Sequence, residues 1–297
     1  MPPADPPTAQ KVLTVASLRP GQEVDLTLAC TRKERLQARS GAPYLALELR
    51  DRTGAIAGRA FRDADVLGGR FERGDLVEVR GRVERFRDEL QLEVRTLARA
   101  RDADPAAFLP VAYRDLDELE GFLEHLAREV HDPALRGLLG SLLGDDLLRT
   151  AWRRAPCSRA GHHAYLGGLL EHTVAVGTLA LEAAQLHPRL DRDLLLCAAL
   201  VHDLGKTREF TFGAEIGLSE EGRLLGHVEL GLRLLDERAQ RACVTAERRL
   251  ALAHCVLTHH GPDAAPGRRF GCAEALALYR LNALDASVKG ALEHGLT

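Results

Sequence analysis

The chain has 297 residues and a formal charge of −3, from 40 Lys+Arg against 43 Asp+Glu. Hydrophobic residues make up 45% and charged residues 28%, a globular balance that excludes a mostly disordered chain. The longest apolar run, Leu194–Val201, is far short of the ~20 residues a spanning helix needs, so a helical membrane span is excluded as well.

This length suggests two domains or one large one. Residues 1–10 hold four of the 13 prolines, lack apolar periodicity, and are expected to form a disordered tail. They carry neither a basic nor an apolar signal region, which predicts a cytoplasmic protein. From residue 11 to 101 the texture is β. Glu23–Cys30, Tyr44–Leu49, Ala55–Phe61, Leu76–Val83 and Leu90–Leu97 alternate polar and apolar residues between Gly- and charge-rich turns, the pattern of a small antiparallel barrel or sandwich. A short segment at Ala64–Gly68 falls where a five-stranded OB-fold barrel carries its helix. Arg32, Lys33, Arg35 and Arg39 form a basic cluster expected on the first loop, where they could meet a nucleic-acid strand or simply be solvated.

Beyond Asp102 the texture is α. Apolar residues recur at helical spacing in Leu116–Val130, Leu135–Leu148, Leu169–Leu186, Asp193–Leu204, Leu224–Cys243, Ala246–His259 and Cys272–Leu292. The expected organisation is a tail (1–10), an OB-fold domain (11–101), a helical connector (102–150) and an all-α domain (151–297). The six cysteines show no C-x-x-C spacing and are read as free thiols, mostly buried.

Nine of the twelve histidines fall between 162 and 260. Imidazole is the commonest protein ligand for first-row metals, and such ligands must converge from rigid elements. In LLCAALVHDLGK (Leu195–Lys206) an apolar helix runs into His202-Asp203, with Gly205 expected to break it. Neighbouring side chains on a helix point about 100° apart, so this pair shares a metal only where the helix end lies over it. A carboxylate, with two oxygens, can bridge two metals. An isolated pair would read as an ordinary helix end with a capping Gly. Four further histidine-bearing segments argue for the metal.

With these motifs in order, the chain resembles the HD superfamily of metal-dependent phosphohydrolases: HHAYLGGLLEHT (His162–Thr173), HDLGK (His202–Lys206), LLGH (Leu224–His227) and THHG (Thr258–Gly261). With an OB fold in front, residues 11–292 resemble the YhaM-type 3′→5′ exoribonucleases. The resemblance implies His172, His202 and Asp203 as ligands of a first metal, with Asp203 bridging to a second held by His227, His259 and His260. It implies Lys206 as the lysine that contacts the scissile phosphate; only four lysines stand among the 40 basic residues. It further implies that His162 and His163 line the substrate groove, where the residues alone would equally suit a structural loop. The family's late acidic pattern D-x-L-D-A reads NALDA here (Asn282–Ala286), so either Asn282 ligates through its amide oxygen or Asp285 supplies the carboxylate.

The implied activity is metal-dependent 3′→5′ hydrolysis of single-stranded RNA or DNA to 5′-mononucleotides. Manganese is the expected ion; Fe, Co or Zn also suit a mixed His and carboxylate set. Competing readings are an HD-type nucleotidase or cyclic-nucleotide phosphodiesterase, and a non-catalytic single-strand binder. A homo-oligomer stays open. Residues 1–101 carry 19 Lys+Arg against 15 Asp+Glu, a net +4, and the other 196 carry 21 against 28, a net −7. The near-neutral total therefore conceals a basic first part, as a strand-binding module would have.

Overall fold

The computed structural model describes residues 13–38, 40–104 and 108–295. The expected tail and Arg39 lie outside them. The chain divides into two compact units, Met1–Leu109 with Gly213–Glu215, and Pro110–Phe212 with Ile216–Thr297.

The first unit is a closed five-stranded barrel in the order β1-β2-β3-β5-β4: β1 (Glu23–Gln37), β2 (Pro43–Asp51), β3 (Gly54–Ala60), β4 (Leu76–Phe86) and β5 (Glu89–Arg99), with helix α1 (Ala64–Gly68) between β3 and β4. Alternate residues, among them Leu28, Leu47, Leu49, Val77, Val79 and Leu92, turn inward and fill it. Not every pair is antiparallel: the crossover through α1 brings Gln91–Glu93 of β5 parallel to Ala57–Arg59 of β3. The expected turn after β2 is built by Asp51, whose carboxylate accepts from Thr53 N at 2.7 Å, Thr53 Oγ1 at 2.6 Å, Gly54 N at 3.2 Å and Val15 N at 2.8 Å. Strand β1 is longer than its alternation suggested. A bulge between Cys30 and Arg32 bends it, so that its first half pairs with β4 and its second half with β2. Arg32, Lys33 and Arg35 thus lie on a strand, not on a loop.

The second unit is helical: α2 (Leu116–Arg128), α3 (Pro133–Leu143), α4 (Asp146–Arg154), α5 (Gly168–Leu186), α6 (Arg192–Val201), α7 (Lys206–Glu209), α8 (Glu220–Arg241), α9 (Ala246–Thr258) and α10 (Ala273–His294), plus a small hairpin of β6 (Phe210–Phe212) and β7 (Ile216–Leu218). Caps set the starts. Asp115, Asp132, Asp145 and Asp191 each accept a backbone N–H two or three residues ahead, as do Ser219 and Thr245. The stretch read as one helix over Leu135–Leu148 is two, because Asp145 caps α4 directly after Gly144. Helix α5 packs against α2, α6 and α10, and α6 against α9. Apolar residues of the segment 102–150, such as Leu119, Leu123, Leu135 and Leu139, lie in the same core as Leu169, Leu195 and Val256. No helix among the described residues is long and apolar enough to cross a membrane.

Candidate metal centre

Four segments deliver histidines to one point. His172 sits one turn into α5, and His202 and Asp203 occupy the turn from α6 into α7. His227 follows a kink in α8, and His259 and His260 follow α9. All of His172, His202, Asp203 and His259 are buried. The kink is at Gly226, whose φ of +71° is a glycine conformation. Gly205 stands between the end of α6 and the start of α7, where the helix is interrupted, but with φ −63° it needs no glycine conformation. It is required by closeness: a Cβ there would lie 1.9 Å from the His227 carbonyl oxygen.

The hydrogen bonds fix the ring orientations. The Nδ1 of His202 donates to Ala199 O at 2.8 Å, and that of His259 to Val256 O at 2.6 Å. Neither carbonyl can donate, so both rings carry the proton on Nδ1. Asp285 accepts from His172 Nδ1 at 2.6 Å, and Glu209 from His227 Nδ1 at 3.1 Å. Four Nε2 lone pairs therefore face inward onto one carboxylate. His172 and His202 approach Asp203 Oδ2 at 3.5 and 3.4 Å; His227 and His259 approach Oδ1 at 3.4 Å each. His172 Nε2 and His202 Nε2 lie 3.2 Å apart. Asp203 Oδ1 and His259 Nε2 are buried with no hydrogen-bond partner.

Lone pairs set against lone pairs and against a carboxylate repel, and each unsatisfied buried group costs about 1–3 kcal/mol. A cation between them removes that cost, so the residues present fit divalent metal. The backing of each Nδ1 by a carboxylate or carbonyl is the support that metal-bound histidines have. Two groups capable of holding an ion share Asp203: His172 with His202, and His227 with His259 and His260.

Charge is tuned to the same end. Burial pushes the His172 imidazole down to about 4, against the opposing pull of Asp285, which keeps it neutral for ligation. Burial, with His259 beside it, takes His260 down to about 3. Burial opposes ionisation of Asp203, but Lys206 and His202 outweigh it and hold the carboxyl well below the usual range. Lys206 Nζ donates to Asp203 Oδ2 at 2.7 Å and to Cys157 Sγ at 3.4 Å. Burial disfavours its charge, yet Asp203 raises it above the usual lysine range.

Four groups around this centre, Glu209, Tyr165, Glu171 and Lys289, carry no sequence signal. Glu209 holds His227 by both its ring and its backbone N–H, at 3.1 and 3.0 Å. A chain of contacts runs outward from His172. Asp285 Oδ2 lies 3.0 Å from His163 Nε2, His163 Nδ1 lies 2.9 Å from the Tyr165 hydroxyl, and that hydroxyl donates to Glu171 at 2.7 Å. Lys289 donates to the other oxygen of Glu171 at 2.9 Å. Both ring nitrogens of His163 are thus engaged within the protein. Asn282 is buried, and its Nδ2 donates to His259 O at 3.2 Å. Asp285 stands behind His172, on the side of the ring away from Asp203.

The basic residues of β1 do not converge. Arg32 pairs with Glu34 at 2.8 Å, Lys33 with Glu72 at 3.0 Å and Arg35 with Asp65 at 2.6 Å. The barrel's exposed aromatics lie in a different groove, of about 560 Å³, lined by Tyr44, Arg59, Phe61, Phe86 and Arg87. Phe61 and Phe86 are 52% and 56% exposed; Tyr44 meets Phe61 with ring centroids 5.4 Å apart, and Arg87 covers Phe86 at 5.2 Å.

Fold and site together define a barrel unit followed by a histidine-rich helical unit. Residues 30–98 match the family model of the OB-fold nucleic acid binding domain, and residues 169–287 that of the HD domain. The chain thus carries an N-terminal OB fold followed by an HD domain. Its curated relatives include the 3′-5′ exoribonuclease YhaM of Bacillus licheniformis, 28% identical over 275 residues, covering 90% of this chain and 86% of that one. The protein of the same name from Shouchella clausii is 29% identical over 250 residues, covering 82% and 76%. That of Bacillus subtilis is 28% identical over 244 residues, covering 81% and 77%.

Proposed function

We propose that this chain is a metal-dependent 3′→5′ exoribonuclease that releases 5′-mononucleotides from single-stranded RNA. The observation that carries the reading is the convergence of four Nε2 lone pairs on the two oxygens of Asp203. The relatives named 3′-5′ exoribonuclease, matched over most of their length, support the same chemistry.

In this reading His172, His202 and Asp203 hold one ion, and Asp203, His227, His259 and His260 hold another. Manganese suits a mixed imidazole and carboxylate set better than magnesium, which prefers oxygen alone. Ions held there would supply Lewis acidity for a phosphodiester and a lowered pKa for a water nucleophile. The chain's own groups do the rest. Lys206 supplies a buried ammonium donor beside Asp203 for the charge that develops on the phosphoryl oxygens. His162, which is half-buried, is assigned as a donor to the substrate. His163 instead positions Asp285, which positions His172. Asn282 steadies the His259 backbone, so the acidic position of the usual pattern is served here by a neutral amide.

The barrel unit is assigned to strand binding. Phe61, Tyr44 and Phe86 offer stacking faces, and Arg59 and Arg87 offer phosphate contacts in the same groove. Arg32, Lys33 and Arg35, already ion-paired, contribute to the field more than to direct contacts. Six free cysteines support residence in the cytoplasm.

The test is hydrolysis of 5′-labelled single-stranded RNA with Mn²⁺. Wild type is expected to give a ladder shortening from the 3′ end, and Asp203→Ala none. Equal activity in both, or hydrolysis of mononucleotides or cyclic nucleotides with oligonucleotides untouched, overturns the reading. Parallel assays on DNA of the same sequence measure the sugar preference.

A further inference from the structure

One side chain at the centre is absent from the ligand set above: Cys157, in the turn after α4. It is buried, with Sγ 3.8 Å from His162 Nε2, 3.7 Å from Asp203 Oδ2 and 3.4 Å from Lys206 Nζ. Cys157, His162 and His172 bring one ligand atom each within 4.8 Å of one another. We propose that these three residues, with Asp203 Oδ2, form a thiol-bearing metal site that takes a thiophilic divalent ion such as Zn²⁺ in place of the ion held by His172, His202 and Asp203. This rests on the reading of His172 and Asp203 as metal ligands, but not on any particular substrate.

The donor set is one sulfur, two imidazole nitrogens and one carboxylate oxygen, four in number and each of a type that zinc takes. Sulfur is a poor ligand for manganese and a strong one for zinc or cadmium. The turn is already closed around the site. Cys157 N donates to His163 O at 3.1 Å, Ser158 Oγ to His162 O at 2.8 Å, and Gly161 N to Ser158 Oγ at 2.9 Å. These bonds fold His162 back toward the sulfur before any ion arrives, so little ordering is left to do on binding. The Lys206 ammonium competes with a cation for the Cys157 sulfur. Only an ion with high affinity for sulfur displaces it there, which sharpens the selection against manganese at this set of ligands. On binding, the thiol proton passes to water, and the sulfur ligates as thiolate.

The two occupancies exclude one another. His172 has its Nδ1 committed to Asp285, so it offers only Nε2, and that nitrogen can serve one ion or the other. A thiophilic ion therefore acts as an inhibitor that takes the first metal position from the side of the substrate turn.

The experiment uses the full-length, metal-free protein titrated with Cd²⁺ and read by the ultraviolet sulfur-to-cadmium charge-transfer band. Wild type is expected to show a band that saturates with one cadmium, retained in Cys243→Ser and Cys272→Ser, whose sulfurs are the less buried ones. It is expected to vanish in both Cys157→Ser and Cys157→Ala, with far-ultraviolet circular dichroism confirming that each variant folds. A band absent in wild type, or unchanged in a folded Cys157 variant, overturns the proposal. A second arm adds Zn²⁺ to the Mn²⁺-supported RNA assay, where Cys157→Ser is expected to need more zinc for half-inhibition than wild type. If the band behaves as expected while no RNA is cleaved, the exoribonuclease reading falls and the thiol site stands.

Discussion

The Asp285 carboxylate accepts the Nδ1 proton of His172 at 2.6 Å and so fixes which nitrogen of that ring looks at Asp203. The same oxygen meets His163 at 3.0 Å, and the contact chain continues through Tyr165 to Glu171. A histidine ligand whose far nitrogen loses its partner keeps its lone pair but loses its aim. Asp285→Ala is therefore expected to weaken Mn²⁺ binding by about 10–100-fold, where His172→Ala removes one ion altogether. Titration calorimetry on the metal-free protein measures both. Identical losses in the two variants would show that Asp285 ligates directly.

Lys206 is buried against Asp203, so removing its charge leaves a carboxylate without its partner. Lys206→Met is expected to lower the stability of the metal-free protein by about 3–5 kcal/mol, and less once metal is loaded. Its turnover of RNA is expected to fall by about 10²–10³-fold. Lys206→Arg restores neither, because the planar guanidinium does not fit the compact space between Asp203 and Cys157. Urea melts with and without Mn²⁺, together with steady-state rates, check the three statements.

The inward lone pairs make the metal-free centre a strained one. Metal at 100 times its dissociation constant stabilises a protein that binds it only when folded by about 2.7 kcal/mol. Manganese is expected to raise the melting temperature of the second unit, and a chelator to reverse the rise. In Asp203→Ala, which lacks the shared carboxylate, the rise is expected to disappear. A manganese-independent melt in wild type would contradict the fit.

Asp51 organises the β2–β3 turn. Burial raises its carboxyl pKa, but the Thr53 hydroxyl and the N–H groups of Val15, Thr53 and Gly54 outweigh that and hold it below the usual 3.8. A lowered folded-state pKa means that the stabilising contribution is whole above the unfolded value and is lost as pH falls through the folded one. Asp51→Ala is expected to cost about 1–3 kcal/mol at neutral pH. The gap between wild type and variant is expected to be flat above about pH 5 and to narrow below about pH 4. Denaturant melts across that range read the gap directly.

The aromatic groove of the barrel gives a prediction that spares the metal centre. Phe61→Ala and Phe86→Ala are each expected to weaken single-stranded RNA binding by about 1–3 kcal/mol with Mn²⁺ affinity unchanged. Arg87→Ala is expected to flatten the salt dependence of binding. Fluorescence anisotropy at several salt concentrations measures these effects. Full affinity in both phenylalanine variants would remove the groove from the strand's path.

The sequence shows the histidine segments because each is local: a His beside or near a Gly, or at the end of an apolar helix. It shows the barrel because alternation has a period of two along each strand. What it hides depends on distance. His163 and Asp285 are 122 residues apart, and nothing near either announces the contact. Glu209 looks like a surface acid until the chain folds it under His227, 18 positions on. Charge was visible in Arg32, Lys33 and Arg35, but their neutralisation was not, since Arg35 finds Asp65 only once α1 is in place. The break between α3 and α4 was written in Gly144-Asp145, a stop signal followed by a start signal, and an unbroken apolar rhythm obscured it.

Gly205 has one more implication. Its Cα lies so near the His227 carbonyl that no side chain fits between them. The distance from the HD turn to the ligands beyond the α8 kink is therefore set by main chain against main chain, with no rotamer to absorb an error. Gly205→Ala would act as a wedge: His202 and Asp203 stay where α6 puts them while His227 moves away with its helix. Such a protein would keep one half of its ligand set and lose the other, which makes this glycine a means of separating the two halves experimentally without touching a single ligand.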